Sequence, residues 1–387
     1  MSARLALSLL TRSFLAMAEH MPNDLAAVET PALVVDLDRL DANLARAAEY
    51  AATHGLALRP HVKTHKSPYV AAAQLRLGAK GLTCATPREA EVMSDVCDDV
   101  LLAYPPVGRA RARRLAGLPA SLRVVAALDS EQAATELARA ARDARREVGV
   151  YVELDLGMKR VGAPSVDAAV ALARLVSESD GLSFEGLAFY PGHIRESMPE
   201  QDAALKALDA ALSRALERFH EAGLPPRVVS GGSTPTLWRT HEVPGVTEIR
   251  PGTYVFNDRQ TVATGACAWD DCALTVLATV VSTAIPGQAV IDAGSKALGR
   301  EPMPEARDGF GQLLEQPGVV VSRLSEEHGV LDLGDSGWRP AVGDVVRVVP
   351  NHVCITVHLQ DEMYGLRGGR LERSWPIAAR GRMQRTV

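Results

Sequence analysis

The segment Arg59–Lys66 holds the residues of this chain that are best suited to chemistry. It follows an apolar run, and a titratable side chain recurs at every second position from His61 to His65. If Leu58–His65 is extended, this period of two places His61, Lys63 and His65 on one face. A lysine between two imidazoles can have a lowered pKa, and a neutral amine forms a Schiff base with an aldehyde cofactor. Lys63 is therefore the candidate nucleophile, and the alternative is a solvated, basic strand end.

A glycine-rich segment, Ser230–Thr236, is a candidate phosphate site. Gly231 and Gly232 allow the backbone to approach a ligand closely, and hydroxyls and backbone amides follow them before a possible helix. Such a segment after a late strand of a parallel barrel is suited to binding a phosphate. A glycine turn capped by serine or threonine is the alternative. Together with Lys63, the segment favours the phosphate site.

His352 and Cys354 are candidate metal ligands. They lie two residues apart within Val348–Val357, where an extended backbone would point both side chains to the same face. Imidazole and thiolate form a soft pair that favours zinc over magnesium or calcium. A buried cysteine beside a core histidine has the same spacing. Whether Asp361 or His358 adds a ligand is left open.

Regular elements must position these residues, and from Thr30 onward short apolar strands alternate with alanine-rich helical stretches. The predicted strands are Ala32–Asp36, Ala57–Val62, Gly81–Cys84, Val100–Ala103, Arg123–Ala127, Val148–Asp155, Phe184–Tyr190 and Arg227–Ser230, and the predicted helices are Leu37–Thr53, Pro87–Ser94, Ser130–Arg146, Val166–Ser179 and Pro199–Ala222. Eight strands alternating with helices suit an α/β fold of the (β/α)8 TIM-barrel type. The active sites of such barrels lie at the carboxyl ends of the strands, where Lys63, Arg160, Tyr190 and the glycine-rich segment fall. This coincidence favours the catalytic interpretation of Lys63.

After Pro251 the pattern changes to strands without long helices, punctuated by Gly and Pro. The predicted strands there are Leu274–Ala284, Ala289–Asp292, Gly318–Arg323, Gly329–Leu333 and Val345–Val349. We predict an N-terminal extension of residues 1–27, a barrel of residues 28–256 and a C-terminal all-β domain of residues 257–387. The last of these carries the metal candidates.

Composition limits the possible partners. The 387 residues are 47% hydrophobic, which is enough for two cores, and the net charge of −5 gives no broad basic field for nucleic acid. The five cysteines are scattered without CxxC spacing, which is typical of reduced thiols in a cytoplasmic enzyme. No segment reaches the roughly 20 uninterrupted apolar residues that cross a bilayer. We expect a cytoplasmic protein without nucleic-acid or membrane partners.

Eight motifs in order resemble those of the fold-type III, alanine racemase-like enzymes that use pyridoxal 5'-phosphate (PLP), in the branch of D-threonine aldolases and D-serine dehydratases. They are Thr30–Ala32, Arg59–Lys66, Glu153–Gly162, Ser230–Thr236, Glu248–Tyr254, Asp292–Gly294, Glu327–Gly329 and Pro350–Cys354. The resemblance implies that Lys63 binds PLP covalently, with Arg160 near its ring hydroxyl and Tyr190 near its ring. It further implies a homodimer, a divalent metal (zinc or manganese) at His352 and Cys354, and a phosphate site formed by Gly231, Gly232, Ser233 and Thr234 with Tyr254 and Asn257 close by.

The resemblance implies a lyase acting on β-hydroxy D-amino acids, and two reactions are open. The His-x-Cys pair and Ser233–Thr236 resemble the dehydratases, whereas His65 and Lys296 resemble the aldolases. We expect retro-aldol cleavage to glycine and an aldehyde, as in D-threonine aldolase, with Lys63, His65 and His61 as the catalytic residues. The alternative is β-elimination to a 2-oxo acid and ammonia, as in D-serine or D-3-hydroxyaspartate dehydratase. The metal pair argues against a racemase, and the extra β domain argues against a non-catalytic PLP-binding protein.

Overall fold

The computed structural model describes residues 25–303 and 309–384. Its α-helices and strands, in chain order, are β1 (Ala32–Asp36), α1 (Leu37–Thr53), β2 (Ala57–Leu58), α2 (Pro68–Arg76), β3 (Leu82–Cys84), α3 (Pro87–Met93), β4 (Asp99–Leu102), α4 (Arg109–Ala116), β5 (Arg123–Leu128), α5 (Glu131–Asp143), β6 (Val148–Glu153), α6 (Val166–Ser177), β7 (Leu182–Ala188), α7 (Asp202–Glu221), β8 (Val228–Gly231), β9 (Glu248–Ile249), α8 (Arg259–Ala263), β10 (Leu274–Ser282), β11 (Gln288–Ile291), α9 (Ser295–Leu298), β12 (Gly311–Leu313), β13 (Val320–Leu324), β14 (Gly329–Asp332), β15 (Val345–Pro350), α10 (Val353–His358), β16 (Glu362–Arg367) and β17 (Arg370–Pro376). Most of the predicted N-terminal extension lies outside the described residues.

The chain divides into two compact units. Of the described residues, the barrel unit comprises Leu44–Gly252, Thr264–Ala266 and those from Ala379 onward, and the β-rich unit comprises those up to Asn43, Thr253–Ala263 and those between Cys267 and Ala378. No helix among the described residues is long and apolar enough to cross a bilayer.

The barrel unit contains eight parallel strands in the order β2-β9-β8-β7-β6-β5-β4-β3. A parallel bridge between His61 and Thr83 joins the chain after β2 to β3, so that the first and last strands also meet. Buried residues of four neighbouring strands, among them Leu101, Val125 and Tyr151, pack into one cluster. Strands that are buried on both faces form continuous apolar runs, and β5 and β6 do so. The predicted (β/α)8 barrel is confirmed.

Local signals account for the barrel helices. The hydroxyls of Thr86, Ser130 and Ser165 accept the backbone N–H of the third helical residue of α3, α5 and α6, respectively. Such N-caps satisfy a donor that has no partner within the helix. The predicted helices are present, and the barrel unit contains two further helices, α2 and α4, that were not predicted. Both are short, and the apolar periodicity of α4 is weakened by its four arginines.

One barrel strand was assigned wrongly from the sequence. The predicted first strand, β1, instead pairs antiparallel with β10 and parallel with β16 in the β-rich unit. The remaining barrel strand is β9, two residues long, which pairs with β2 and β8. A short apolar run such as Ala32–Asp36 fits either sheet, because its pattern does not encode its pairing partner. In the structure, Ala32 and Val34 are buried against Leu277 and Leu366.

The β-rich unit contains a nine-stranded sheet in the order β11-β14-β13-β12-β15-β10-β1-β16-β17. An additional pairing of β10 with β11 closes six of these strands into a barrel. The five strands predicted after Pro251 are all present. The sheet also contains β12, β16 and β17, which were not predicted. The expected all-β character of this region is confirmed.

Candidate active site

The turn that carries Lys63 differs from its sequence prediction. β2 ends at Leu58, and residues 62–65 form a turn in which the Lys66 N–H donates to the Val62 carbonyl at 2.7 Å. The prediction that Leu58–His65 is extended is therefore wrong. Backbone pairing continues past Pro60, since the Arg59 and His61 N–H groups donate to the Ile249 and Pro251 carbonyls at 2.9 Å, and the chain leaves the sheet only at the turn that begins at Val62. His61, Lys63 and His65 are brought close together by this turn and not by a shared strand face.

The two histidines of the turn are buried. Burial, and then the charge of Lys63, lower the pKa of His61 well below its usual value. Burial also lowers the pKa of His65 to about 3, although a hydrogen bond with the Gln74 side chain opposes this shift. The Ser67 N–H donates to His65 Nδ1 at 3.1 Å, and the Lys63 N–H donates to His61 Nδ1 at 3.4 Å. Both imidazoles are therefore neutral near pH 7 and serve as acceptors within the turn.

Lys63 lies beside two residues from other strand ends. Its Nζ is 5.8 Å from the centre of the Tyr190 ring, and the guanidinium carbon of Arg160 is 4.9 Å from the same ring centre. Lys63 and Arg160 thus meet at one aromatic ring, as expected for residues at the carboxyl ends of barrel strands. Gly192 leaves room for the ring, because a Cβ there would lie 2.1 Å from Tyr190 Cε1. The structure brings together these three residues predicted to surround the cofactor.

The Arg160 loop is held in place by Asp155, which follows β6. Asp155 Oδ1 accepts the N–H groups of Gly157 and Lys159 at 2.9 and 3.0 Å. Gly157 has a φ of 123°, a conformation that side-chain-bearing residues rarely adopt. The loop borders a small cleft that is lined by Glu153, Asp155, Met158, Arg160 and Tyr190, among others. Arg160 therefore projects from a loop of fixed shape.

The glycine-rich segment begins at the end of β8. A Cβ at Gly231 would lie 2.3 Å from Phe189 Cζ, and Gly232 has a φ of 85°, so that both positions require glycine. Ser233 and Thr234 are buried, and the Thr236 N–H donates to Ser233 Oγ at 3.4 Å. A short 3-10 helix, Leu237–Glu242, follows. The segment thus has the compact backbone and hydroxyls that a phosphate group requires.

Two buried charged residues were not identified from the sequence. Arg250 donates through Nη2 to the Phe189 carbonyl at 2.9 Å and through Nη1 to Ser230 Oγ. Glu153 ends β6, and burial raises its pKa while the charge of Arg250 opposes that rise. The signal available was a charge at the end of an apolar strand, which is rare without a partner or a function.

Tyr254 and Asn257, predicted near the phosphate, belong to the β-rich unit. Tyr254 is buried, and Asn257 has a φ of 53°. The Asn257 amide donates to the Asp271 carbonyl at 3.2 Å, which fixes its side chain within that unit. Their role at a phosphate group stays a prediction.

The metal candidates lie where β15 gives way to α10. Val348–Val357 is not extended as predicted, because β15 ends at Pro350 and His352 is the N-cap of α10. The His352 and Cys354 side chains nevertheless interact, and negative charge on Cys354, followed by that on Asp258, raises the pKa of His352. The His352 side chain is 30% exposed and its Nδ1 lies 3.0 Å from Asp258 Oδ2. Nε2 is therefore the nitrogen that remains for a metal.

An imidazole and a thiolate side by side suit zinc or a similar divalent ion. Within residues 25–303 and 309–384, no three His, Cys, Asp or Glu side chains are arranged to hold a metal ion. The suggestion that His358 or Asp361 adds a third ligand is thus not supported. The residues present fit a metal with two protein ligands.

Two domain families match the chain. The family described as "Alanine racemase, N-terminal domain" matches residues 35–260, and "Putative serine dehydratase domain" matches residues 273–366. Among curated relatives, D-threonine aldolase of Arthrobacter sp is 32% identical over 369 residues, which cover 93% of this chain and 95% of the relative. D-threo-3-hydroxyaspartate dehydratase of Delftia sp. strain HT23 is 36% identical over 360 residues, which cover 87% and 93%.

Comparison with solved structures also finds similarity to both an aldolase and a dehydratase. The crystal structure of D-threonine aldolase from Filomicrobium marinum matches with a TM-score of 0.86 and 33% identity, over 93% of this chain and 98% of that chain. A cysteine-to-alanine variant of D-threo-3-hydroxyaspartate dehydratase in the metal-free form matches with a TM-score of 0.79 and 33% identity, over 91% and 99%. The similarity to an aldolase and a dehydratase thus extends over both units.

Proposed function

We propose a function for this chain from its family: it belongs to the alanine racemase-like barrel enzymes with a C-terminal serine dehydratase-type domain. The proposed function is that of a PLP- and divalent-metal-dependent lyase acting on β-hydroxy D-amino acids. The reaction we propose is retro-aldol cleavage to glycine and an aldehyde. Dehydration to a 2-oxo acid and ammonia is the second candidate.

The observation that carries this proposal is the meeting of Lys63 and Arg160 at the Tyr190 ring. A primary amine beside an aromatic ring at the strand ends of a barrel is suited to hold an aldehyde cofactor covalently. We propose that Lys63 binds PLP covalently and that Arg160 and Tyr190 contact the PLP ring. The glycine-rich segment would bind the PLP phosphate. When bound, PLP supplies an electron sink for the bonding electrons released at the substrate Cα.

We propose that His352 and Cys354 hold the metal, which supplies a Lewis acid for the β-hydroxyl oxygen. The neighbouring imidazole and thiol donors support this assignment. His352 keeps Nε2 for the metal because Nδ1 faces Asp258. The imidazole is partly exposed, which leaves a path for a metal from solvent.

The burial of His65 bears on which of the two reactions is favoured. His65 was expected to accept the hydroxyl proton, but it is fully buried and its pKa is lowered to about 3. An imidazole with so low a pKa is a weak base, so we propose that His65 supports the turn of Lys63. The likeness to D-threonine aldolase, which covers 93% of the chain, supports cleavage. The likeness to a dehydratase and the His352–Cys354 pair support the second candidate.

Product analysis tests the proposal. The purified enzyme, loaded with PLP and manganese or zinc, is incubated separately with D-threonine and D-threo-3-hydroxyaspartate. Cleavage of D-threonine yields glycine and acetaldehyde, whereas dehydration yields 2-oxobutanoate and ammonia. We expect D-threonine to yield glycine and acetaldehyde. We also expect activity to be lost on chelation of the metal, and L-threonine not to be turned over.

Two outcomes decide against parts of the proposal. A 2-oxo acid and ammonia without aldehyde would establish the dehydratase alternative. Racemised substrate alone, with activity that survives chelation, would exclude a metal-dependent lyase.

We also propose that the enzyme is a cytoplasmic homodimer, as the family resemblance implies. The support is the resemblance alone, and light scattering on the purified protein tests it. A mass near 41.3 kDa, that of one chain, would contradict it.

A further inference from the structure

The carboxylate of Asp258 lies between two helix starts in the β-rich unit and is fully buried. Oδ1 accepts the Thr261 N–H at 2.8 Å and the Thr261 hydroxyl at 2.7 Å. Oδ2 lies 3.0 Å from His352 Nδ1 and accepts the Val353 N–H at 3.1 Å. Each oxygen thus has two partners, and this buried charge is fully satisfied.

These contacts determine which nitrogen of His352 carries the proton. A carboxylate accepts hydrogen bonds, so the neutral imidazole facing it carries its proton on Nδ1 and leaves the Nε2 lone pair free. A carboxylate in this position behind a metal-binding histidine fixes the ring and increases the basicity of the ligand. We propose that Asp258 is the positioning residue of the metal site, holding His352 with Nε2 available and strengthening its bond to a divalent metal such as zinc. This inference rests on the proposed function, since it assigns a support to the proposed metal ligands.

The same carboxylate also fixes the backbone that carries Cys354. It accepts the first N–H of α10, a helix whose N-cap, His352, makes no side-chain capping bond. Cys354 is the second residue of that helix, so the bond to Val353 fixes the turn between both ligands. Through Thr261 the carboxylate also caps the start of α8. Asp258 therefore sets the position of both donors, while its own oxygens are taken up by protein groups.

The test compares Asp258→Asn with a matched control, Thr261→Val, in the PLP-loaded enzyme. Asparagine has the size of aspartate but lacks its charge and has a single accepting oxygen. Thr261→Val removes a hydroxyl from the other oxygen of the same carboxylate and leaves the bond to His352 intact. Zinc affinity is measured by competition with a chromophoric chelator, and the thermal midpoint and the PLP absorbance are recorded for each variant.

We expect Asp258→Asn to weaken zinc binding by about 10- to 100-fold with unchanged PLP absorbance, and Thr261→Val to retain wild-type zinc affinity. Zinc affinity that is unchanged in Asp258→Asn, or equally reduced in Thr261→Val, would overturn the inference. His352→Ala is the reference, because zinc affinity unchanged in that variant would refute the metal site itself rather than its support.

A second measurement does not depend on the folding of Asp258→Asn. Wild-type enzyme with 15N-labelled histidine, loaded with zinc, reports the ring nitrogens by NMR, and the His352→Asn spectrum assigns the signal of His352. Zinc on Nε2 with the proton on Nδ1 is the expected result. Zinc on Nδ1 would rule out a hydrogen bond from that atom to Asp258.

Discussion

His65 shows how burial changes the properties of a single residue. Its unfolded-state pKa is near 6.5, and burial lowers the folded-state pKa to about 3. Between these two values the unfolded chain binds one proton more than the folded chain does at this residue. The stability that His65 contributes is therefore fully present above about pH 6.5 and is lost as the pH falls toward 3.

We predict that His65→Asn flattens the acid dependence of stability. The asparagine oxygen can replace Nδ1 as acceptor of the Ser67 N–H, and it does not titrate. Between pH 6 and pH 4 the wild type should lose up to about 1.4 kcal/mol per pH unit more than the variant. Urea unfolding across that range measures the difference. Parallel curves for the two proteins would contradict the neutral, buried state of His65.

The residues that meet at the candidate site could be predicted only in part. Lys63, Arg160 and Tyr190 were predicted correctly to lie together, because strand ends of a barrel converge whatever the details of each loop. Asp258, Arg250 and Glu153 were missed, because their function depends on partners far away in sequence. The pairing of Asp258 with His352 joins positions 94 residues apart.

Among the structural elements, the turn that carries Lys63 is followed by a buried ion pair between Lys66 and Glu89. Lys66, with a φ of 50°, pairs with Glu89, which also accepts the Ala85 N–H at 2.5 Å. We predict that Lys66→Met lowers the free energy of unfolding by about 3–5 kcal/mol, because it leaves the Glu89 carboxylate buried without its partner. Urea unfolding measures this, with the exposed Lys80→Met as control.

The double variant Lys66→Met with Glu89→Leu separates charge from packing. It should recover part of the lost stability, since no unpaired charge then remains buried. Equal losses in the single and double variants would show that the ion pair is not the cause.

The segment that carries the metal candidates could not be predicted from its local pattern. The His352–Cys354 segment was predicted extended, yet Pro350 and Asn351 end the strand: proline lacks an N–H, and the Asn351 amide donates to the Glu301 and Gly309 carbonyls. Those carbonyls lie more than 40 residues away, beyond the reach of local periodicity. The two donors still meet because α10 begins between them.

For the whole molecule, the alternation of strands and helices in the sequence was sufficient to predict the barrel. The loss of long helices after Pro251 predicted a second region built mainly of strands. What the alternation could not provide was the assignment of β1 and β9. β9 has two residues, too short to show a period, and β1 has the same apolar character as a barrel strand. Fold class thus follows from repeated pattern, whereas the pairing of short strands follows from tertiary contacts.

The proposed chemistry depends most directly on covalent attachment of PLP to Lys63. The PLP-loaded enzyme is reduced with sodium borohydride, digested and mapped by peptide mass, with Lys63→Arg as the control. We predict that a reduced pyridoxyl phosphate is found on the peptide containing Lys63 and is absent from the variant. Attachment to Lys66 or another lysine, or the same labelling in Lys63→Arg, would contradict the account.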